Sequence, residues 1–410
     1  MDNFPETKTS CKLKWAWSTL YLNRGLTNSC HRTAESELTV DNFDNFHNTP
    51  VKLSDRKAML NGEWPESSCQ YCKNIELAGG VSDRMRQKNV PYTAPVELKT
   101  NPLATNVTPT HVEVFFSNVC NMACLYCMPE VSSQINAEYK KFGNFSKHGV
   151  NLAPASIDHY PDLVNSFWNW FDNNFQSLSR LHILGGEPFY QTEFYTLLQK
   201  IESNPNPNCE LNVVTNLKIN KDKLKSIVDQ FKSLLTTRCL KRIDITCSID
   251  CWGPEQEYVR WGMDIGQWEE NFKYLCDQKW LKLDINQTIS PLTIKTMPDL
   301  LVRLAKWRET RKIGHWFSVV TPGPSYMFTN ILGNVFDKDF ERILELMPED
   351  SNEDIDAKEY MEGIAKYSSA KNVNVDQLRN LVTYLDEKDR RRGTNWEQTF
   401  PWLIDFKKYL

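Results

Sequence analysis

The 410-residue sequence predicts an α/β fold built on a parallel sheet. From residue 111 onward, short apolar runs typical of strands alternate with longer stretches in which apolar residues recur every three to four positions. Six such strand-then-helix repeats favour parallel strands joined by right-handed crossovers. The length allows one large domain and a smaller one.

The predicted strands and helices alternate through the middle of the chain. The helix at 221–237 shows its period clearly, because Leu224, Ile227, Phe231 and Leu234 fall on one face with lysines opposite. In α/β folds of this kind, active sites gather at the carboxyl ends of the strands. Strands are predicted at 111–117, 180–184, 210–215, 242–249, 281–289 and 315–320, and helices at 156–177, 191–203, 221–237, 266–278 and 297–310.

Both ends of the chain differ from this alternating core, which we expect at 111–325. Residues 1–90 are loop-rich with short amphipathic pieces, and residues 91–110 carry four prolines, which predict a linker or an extended crossing segment. The arginines at 390–392 are interpreted as a solvated helix end. Residues 326–410 are predicted to form a helical extension, with helices at 337–347, 353–369, 373–387 and 396–409.

Composition argues against several classes of function. The net charge is −4, so the chain has no basic excess for binding nucleic-acid phosphates. No apolar run approaches the roughly 18 residues that span a bilayer. The N-terminal segment lacks the apolar core of a signal peptide, so we expect a cytoplasmic protein with no membrane or nucleic-acid partner. In a reducing compartment, clustered cysteines bind metals more often than they form disulfides.

Three cysteines lie in one short loop directly after the first predicted strand of the core. Cys120, Cys124 and Cys127 are spaced C-x3-C-x2-C in the segment SNVCNMACLYCMPE. Such spacing suits a loop wrapped around one metal centre. A four-iron cubane needs four ligands, so three cysteines would leave one iron open to a small molecule. The alternative is a zinc knuckle or a structural cysteine cluster, although three cysteines underfill a structural zinc site.

This motif resembles the signature of the radical S-adenosylmethionine (SAM) superfamily, C-x3-C-x-aromatic-C, with Tyr126 as the aromatic residue. The resemblance implies a partial (β/α)6, TIM-like barrel for the core. It implies that the three thiolates hold a [4Fe-4S] cluster whose open iron binds SAM. The chemistry would be reductive cleavage of SAM to a 5′-deoxyadenosyl radical that abstracts a hydrogen atom from a substrate. An electron donor such as flavodoxin or ferredoxin would be a partner.

A glycine-rich turn after the second core strand resembles the GGEP motif of that superfamily. It comprises Gly185, Gly186 and Glu187, followed by Pro188. The two glycines would let the backbone approach a ligand closely, and the resemblance implies that the glutamate accepts hydrogen bonds from the SAM amino group. The alternative is a plain strand-to-helix turn.

Five further polar residues stand where relatives bind SAM. Asn216 ends the third strand of the core, in a "TNG"-type sequence with leucine replacing glycine, and would line the pocket or cap the strand. Ser248 and Asp250 share one face of the fourth strand and resemble positions that contact the SAM ribose or carboxylate. Arg260 would bind the SAM carboxylate or form a surface salt bridge. Thr288 would face the adenosyl group or cap the barrel.

Four more cysteines precede the core. Cys11, Cys30, Cys69 and Cys72 form the pattern C-x13-G-x4-C, a gap, and C-x2-C. This resembles the auxiliary-cluster pattern of the Twitch and SPASM extensions of radical SAM enzymes, although in better-known relatives the extension follows the core. The resemblance implies a second, fully ligated [4Fe-4S] cluster in residues 1–90, with structural zinc as the alternative. The other five cysteines are interpreted as small buried hydrophobes: Cys209, Cys239, Cys247, Cys251 and Cys276.

These motifs resemble those of a radical SAM enzyme. Because relatives with such extensions mostly modify peptides, the resemblance implies a peptide or protein substrate. Two alternatives stay open: dehydrogenation of a small molecule by the same chemistry, and a non-catalytic iron–sulfur electron carrier or redox sensor. No residue stands out in the sequence as a catalytic acid or base.

Overall fold

The structure is a computed structural model that describes residues 4–66, 68–143, 157–320, 324–369 and 372–409. The chain divides into two compact units, each built from several segments. The first unit comprises Met1–Asn118, Pro154–Val213 and Asp229–Ile243, and the second comprises Val119–Ala153, Val214–Val228 and Asp244–Leu410.

The first unit contains parallel core strands extended by an N-terminal hairpin. The core strands are β4, His111–Phe115, β5, Arg180–Leu184, and β6, Asn206–Thr215, whose last two residues belong to the second unit. β4 pairs parallel with β5, and β5 with β6. The hairpin strands are β1, Trp17–Tyr21, β2, Leu26–Asn28, and β3, Ser36–Glu37. β1 pairs parallel with β4 and antiparallel with β2, and β2 pairs antiparallel with β3.

The second unit continues the alternation of strand and helix. Its strands are β7, Leu240–Ser248, which begins in the first unit, β8, Lys282–Ile289, and β9, Gly314–Val319. β7 pairs parallel with β8, and β8 with β9. Over the described residues the strand order is β3-β2-β1-β4-β5-β6 for the strands introduced with the first unit and β7-β8-β9 for those introduced with the second. The predicted α/β class is therefore confirmed, while closure into a partial barrel stays a prediction.

The predicted core helices are present within a few residues of their predicted bounds. Residue 156, the predicted start of the first core helix, lies outside the described residues. No helix in the described part of the chain is long and apolar enough to cross a membrane. The helices are α1 Lys12–Ala16, α2 Pro50–Leu60, α3 Gln70–Leu77, α4 Asp83–Arg86, α5 Glu97–Thr100, α6 Ser133–Phe142, α7 Tyr160–Asn174, α8 Thr192–Ser203, α9 Lys221–Thr236, α10 Pro254–Val259, α11 Ile265–Asp277, α12 Met297–Arg308, α13 Asp337–Leu346, α14 Asn352–Ser369, α15 Val375–Arg392, α16 Trp396–Thr399 and α17 Pro401–Ile404.

Side chains from strands and helices fill the core of each unit. In the first, Val112 and Val114 of β4 are buried, and Phe116, just beyond that strand, contacts Phe167 of α7 with ring centroids 5.3 Å apart. In the second, Trp268 of α11 stacks on Phe272. All five scattered cysteines are buried, as predicted.

Two predictions outside the core need correction. The single helix predicted at 396–409 is instead α16, α17 and a short 3₁₀ turn, because Pro401 cannot continue the helix and restricts the residue before it. The proline-rich segment 91–110, predicted as a linker or an extended crossing segment, contributes Leu98 and Val107 to a buried apolar cluster with Trp15. The predicted solvated arginine run is wrong for two of its three residues, as described next.

The end of α15 carries buried as well as exposed arginines. Arg390 is exposed and pairs with Glu387. The side chains of Arg391 and Arg392 are only 2% and 4% exposed, and both lie within ion-pair distance of Glu138 on α6. The run therefore fastens the end of α15 to α6, a contact that the local charge pattern does not reveal.

Candidate functional site

The C-x3-C-x2-C loop of the second unit is fixed by backbone hydrogen bonds. The Ala123 N–H donates to the Trp261 carbonyl at 2.9 Å, and the Leu125 N–H donates to the Val259 carbonyl at 2.8 Å. These bonds run to the segment that ends α10 and follows it. The loop backbone between the cysteines thus has a fixed course set by the protein itself.

Hydroxyl groups hold the same loop at further points. The Cys120 N–H donates to Ser133 Oγ at 3.1 Å, and the Ser133 hydroxyl donates to the Cys120 carbonyl at 3.1 Å. The Ser132 hydroxyl donates to the Met122 carbonyl at 2.8 Å, and the Tyr384 hydroxyl of α15 donates to the Leu125 carbonyl. Backbone donors and acceptors that a metal-binding loop would otherwise leave unpaired are satisfied here.

The three thiols of the loop influence one another. Burial raises the pKa of the Cys127 thiol, and the Cys124 and Cys120 thiolates raise it further. Among the described residues, no group of three His, Cys, Asp or Glu side chains is placed to hold a metal ion. By its chemistry, a donor set of three thiols is the one that a four-iron cluster with an open iron would need.

Asp250 gathers three other predicted site residues behind this loop. Asp250 is fully buried, and Tyr126 donates its hydroxyl proton to Asp250 Oδ2 at 2.6 Å. Arg260 Nε and Nη2 donate to the two carboxylate oxygens, each at 2.8 Å. The Thr288 N–H donates to Oδ1 at 2.8 Å. Burial would lower the pKa of Arg260, but the Asp250 charge raises it above its usual value.

The Asp250 network joins the cysteine loop to β8 and to the segment after α10. Because Arg260 binds the carboxylate with two parallel bonds, the pair has the bidentate geometry that makes such contacts strong. The surface salt bridge, which was the alternative to SAM binding at Arg260, is not what this residue forms, since Arg260 is buried and its ion-pair partner is Asp250.

Asn216 also reaches the cysteine loop, whereas Ser248 lies elsewhere in the second unit. The Asn216 amide donates to Asn121 Oδ1 at 2.9 Å and lies 3.9 Å from Cys120 Sγ. The next residue, Leu217, has φ +58°, a left-handed conformation that glycine adopts more readily, so the leucine preserves the backbone course of a "TNG" strand end. Ser248 is buried at the end of β7, opposite Asn286 of β8.

The glycine-rich turn of the first unit has the backbone its sequence predicts. Gly185 and Gly186 have φ +87° and +57°. A Cβ on Gly185 would lie 2.5 Å from the Phe115 ring, so no side chain fits there. Glu187 is buried, and its Oε1 accepts the Phe189 N–H at 3.2 Å. This carboxylate therefore caps the following turn, and the structure leaves both interpretations of the motif open.

The N-terminal cysteines lie close to one another in the first unit. Burial raises the pKa of Cys11 to about 12, with Cys30 and Cys69 raising it further. Burial raises the pKa of Cys30 to about 11, and Cys72 adds to this. Cys11 precedes α1, Cys30 follows β2, and Cys69 and Cys72 begin α3. By its chemistry, a set of four thiols would suit a fully ligated centre, either an iron–sulfur cluster or zinc.

Sequence reasoning missed two buried polar groups in the first unit. The carboxylate of Glu113 on β4 accepts from Thr19 at 2.9 Å and contacts His31 at 2.8 Å and His182 at 3.1 Å. Lys14 on α1 contacts Asp55 of α2. A charged residue inside a short strand or helix, Glu113 in β4 and Lys14 in α1, was the available sequence signal. The partners of both residues come from distant segments, which the local sequence does not indicate.

No family model matches this chain, and no curated protein matches it. Among solved structures, the chain is similar to Streptococcus suis SuiB, which was crystallised bound to the precursor peptide SuiA. The two chains are 13% identical, and the alignment covers 91% of this chain and 68% of the SuiB chain. The TM-score is 0.36, which is too low to support an argument about fold or function.

Proposed function

We propose that this protein is a radical SAM enzyme. The observation that supports the proposal is that Cys120, Cys124 and Cys127 lie on one short loop whose backbone is held by hydrogen bonds to the carbonyls of Trp261 and Val259. Three thiols of this spacing would hold a [4Fe-4S] cluster and leave one iron for SAM. Such a cluster, when reduced, supplies cleavage of SAM to a 5′-deoxyadenosyl radical that abstracts a hydrogen atom.

The residues around the loop have proposed roles in holding it and SAM. The Asp250 carboxylate would keep Tyr126 and Arg260 in place, because both donate to it. Arg260 already contacts Asp250 through Nε and Nη2, so we assign it first to this support and only then to the SAM carboxylate. The remaining proposed SAM-binding residues are Gly185, Gly186, Glu187, Asn216, Ser248 and Thr288.

The four N-terminal cysteines are proposed to hold an auxiliary [4Fe-4S] cluster, with zinc as the alternative. A fully ligated cluster has no open iron, so its use would be electron transfer rather than substrate binding. Relatives that carry such modules act mostly on peptides. We therefore propose a peptide or protein substrate and a flavodoxin or ferredoxin as electron donor, with dehydrogenation of a small molecule as the alternative.

Anaerobic reconstitution with iron and sulfide tests the proposal. We expect two four-iron clusters per chain and, with dithionite as reductant, conversion of SAM to 5′-deoxyadenosine. Cys124→Ala should abolish this conversion, because the loop then offers only two ligands. Cys276→Ala is the matched control, since this thiol is also buried in the second unit but stands alone in α11.

A second variant separates the two clusters. Cys72→Ala should lose the second cluster and substrate turnover while retaining SAM cleavage. Full SAM cleavage by Cys124→Ala would refute the assignment of the loop. Stable clusters that never cleave SAM would instead favour an electron carrier. Stoichiometric zinc without iron would contradict both the radical SAM enzyme and the electron carrier.

A further inference from the structure

A buried, charged group lies beside the N-terminal cysteines. Lys14 and Asp55 are each 2% exposed, and Lys14 Nζ donates to Asp55 Oδ2 at 2.5 Å. Lys14 also donates to Ser68 Oγ at 3.3 Å, and the Ser68 hydroxyl lies 2.6 Å from the same Asp55 oxygen. Ser68 Oγ is 3.6 Å from Cys69 Sγ, so the group reaches one of the four thiols directly.

The charge of Lys14 acts on three of the four thiols. Lys14 lies one helical turn after Cys11, whose carbonyl accepts the Lys14 N–H at 3.0 Å. Burial raises the pKa of the Cys11, Cys30 and Cys69 thiols, and the positive charge of Lys14 acts in the opposite direction on all three. The ammonium group is therefore placed to stabilise negative charge on this set of sulfurs.

Two further basic side chains, those of Lys52 and Arg56, are buried in the same region. Lys52 Nζ is held by neutral oxygens, those of Ser18 and Thr27 at 2.9 Å and the Phe46 carbonyl at 2.6 Å. Arg56 is fully buried and donates to the Lys14 carbonyl at 2.6 Å. Burial and the neighbouring cations lower the pKa of Lys52.

A buried cation is unfavourable unless an anion lies nearby. Lys14 has Asp55 as its ion-pair partner, and the charges of Asp55 and Glu97 act on Arg56. A metal centre with four thiolate ligands carries net negative charge and would be a second anionic group on which the charge of Lys14 acts.

We propose that Lys14 raises the reduction potential of an iron–sulfur cluster held by Cys11, Cys30, Cys69 and Cys72, and that Asp55 moderates this effect. The inference rests on the proposed function, because it requires that cluster. An added electron makes the cluster more negative, so a buried cation favours the reduced form, most strongly where little water screens the charges. Lys14 thus suits the cluster to accepting an electron.

The test uses the full chain with Cys120, Cys124 and Cys127 replaced by alanine, so that only the N-terminal centre can form. The midpoint potential is measured by a redox titration followed by electron paramagnetic resonance. Lys14→Met should shift the potential to a more negative value, and Asp55→Asn should shift it to a more positive one. Lys57→Met is the matched control, because this lysine is exposed on α2, the helix that carries Asp55.

Opposite shifts in Lys14→Met and Asp55→Asn support the inference, since a merely structural role would not produce opposite signs. Unchanged potentials, or shifts of the same sign, in variants that bind iron fully would overturn it. If Lys14→Met binds no iron, Lys14→Arg and Asp55→Asn decide: the first should keep the original potential and the second should raise it. Absence of iron from the unsubstituted N-terminal site contradicts the proposed auxiliary cluster itself.

Discussion

The two cysteine sites of this chain differ in how much of each site the protein builds without a metal. Cys120, Cys124 and Cys127 come from one short loop, and the nearby buried charges of Asp250 and Arg260 neutralise each other. The N-terminal cysteines come from separate segments between residues 11 and 72, beside the buried ion pair of Lys14 and Asp55. The first site draws its thiols from one segment, whereas the second needs distant segments to be held together.

The backbone conformation also differs between the two cysteine sites. In the loop, the N–H groups of Ala123 and Leu125 are bonded to carbonyls outside the loop. Around the N-terminal thiols, Cys69 has φ +54°, a left-handed conformation that costs free energy for a residue with a side chain. A bound centre would therefore do more to stabilise the N-terminal site than the loop.

Metal removal should give the largest effect and tests this contrast directly. After iron is chelated from the reconstituted protein, amide hydrogen exchange should rise strongly at 11–30 and 69–77 and change little at Ala123 and Leu125. Structural four-ligand zinc sites supply on the order of 10 kcal/mol of folding free energy, which shows the scale available to such a centre. Equal increases at both sites would contradict the proposed difference.

Breaking the Asp250 network should give the next largest effect. Asp250→Ala leaves Arg260 buried without its carboxylate, which should lower the free energy of unfolding by about 3–5 kcal/mol. Urea unfolding of the metal-free chain measures this loss. Asp277→Ala, an exposed residue at the end of α11, is the control and should change the free energy by less than about 0.5 kcal/mol.

A loss below about 1 kcal/mol in Asp250→Ala, of the size expected for an exposed ion pair, would show that the network contributes little to the loop. The comparison would then weaken, because the second unit would have no charge-balanced support behind its cysteines.

The sequence predicts the alternating core well because its signals are local. Strand β5 was predicted with its observed bounds, and α9 differs by one residue, since apolar period and neighbouring residues determine such elements. The N-terminal strand β1 was missed, because it is short, follows α1 without a break and pairs with β4 from far along the chain.

The site was predictable in its residue types and less so in its contacts. Tyr126, Asp250, Arg260 and Thr288 were each singled out, yet their meeting at one carboxylate depends on a fold that brings residue 126 to residue 250. Lys14 could not be recognised, because nothing near it in sequence indicates that its partner is Asp55. Long-range pairing, rather than residue chemistry, sets this limit.

The smallest expected loss of stability comes from removing the hydroxyl group of Tyr126 or of Tyr384, and the comparison tests whether a charged acceptor strengthens the bond. Tyr126→Phe removes a hydrogen bond to a buried carboxylate and should cost about 1.5–3 kcal/mol of unfolding free energy. Tyr384→Phe removes a bond to the neutral Leu125 carbonyl in the same loop and should cost about 0.5–1.5 kcal/mol. Urea unfolding of both variants measures the difference. If Tyr384→Phe cost as much as Tyr126→Phe, the charge of Asp250 would add nothing to the strength of the Tyr126 bond. The two bonds from Arg260 would then account for the charge balance behind the loop.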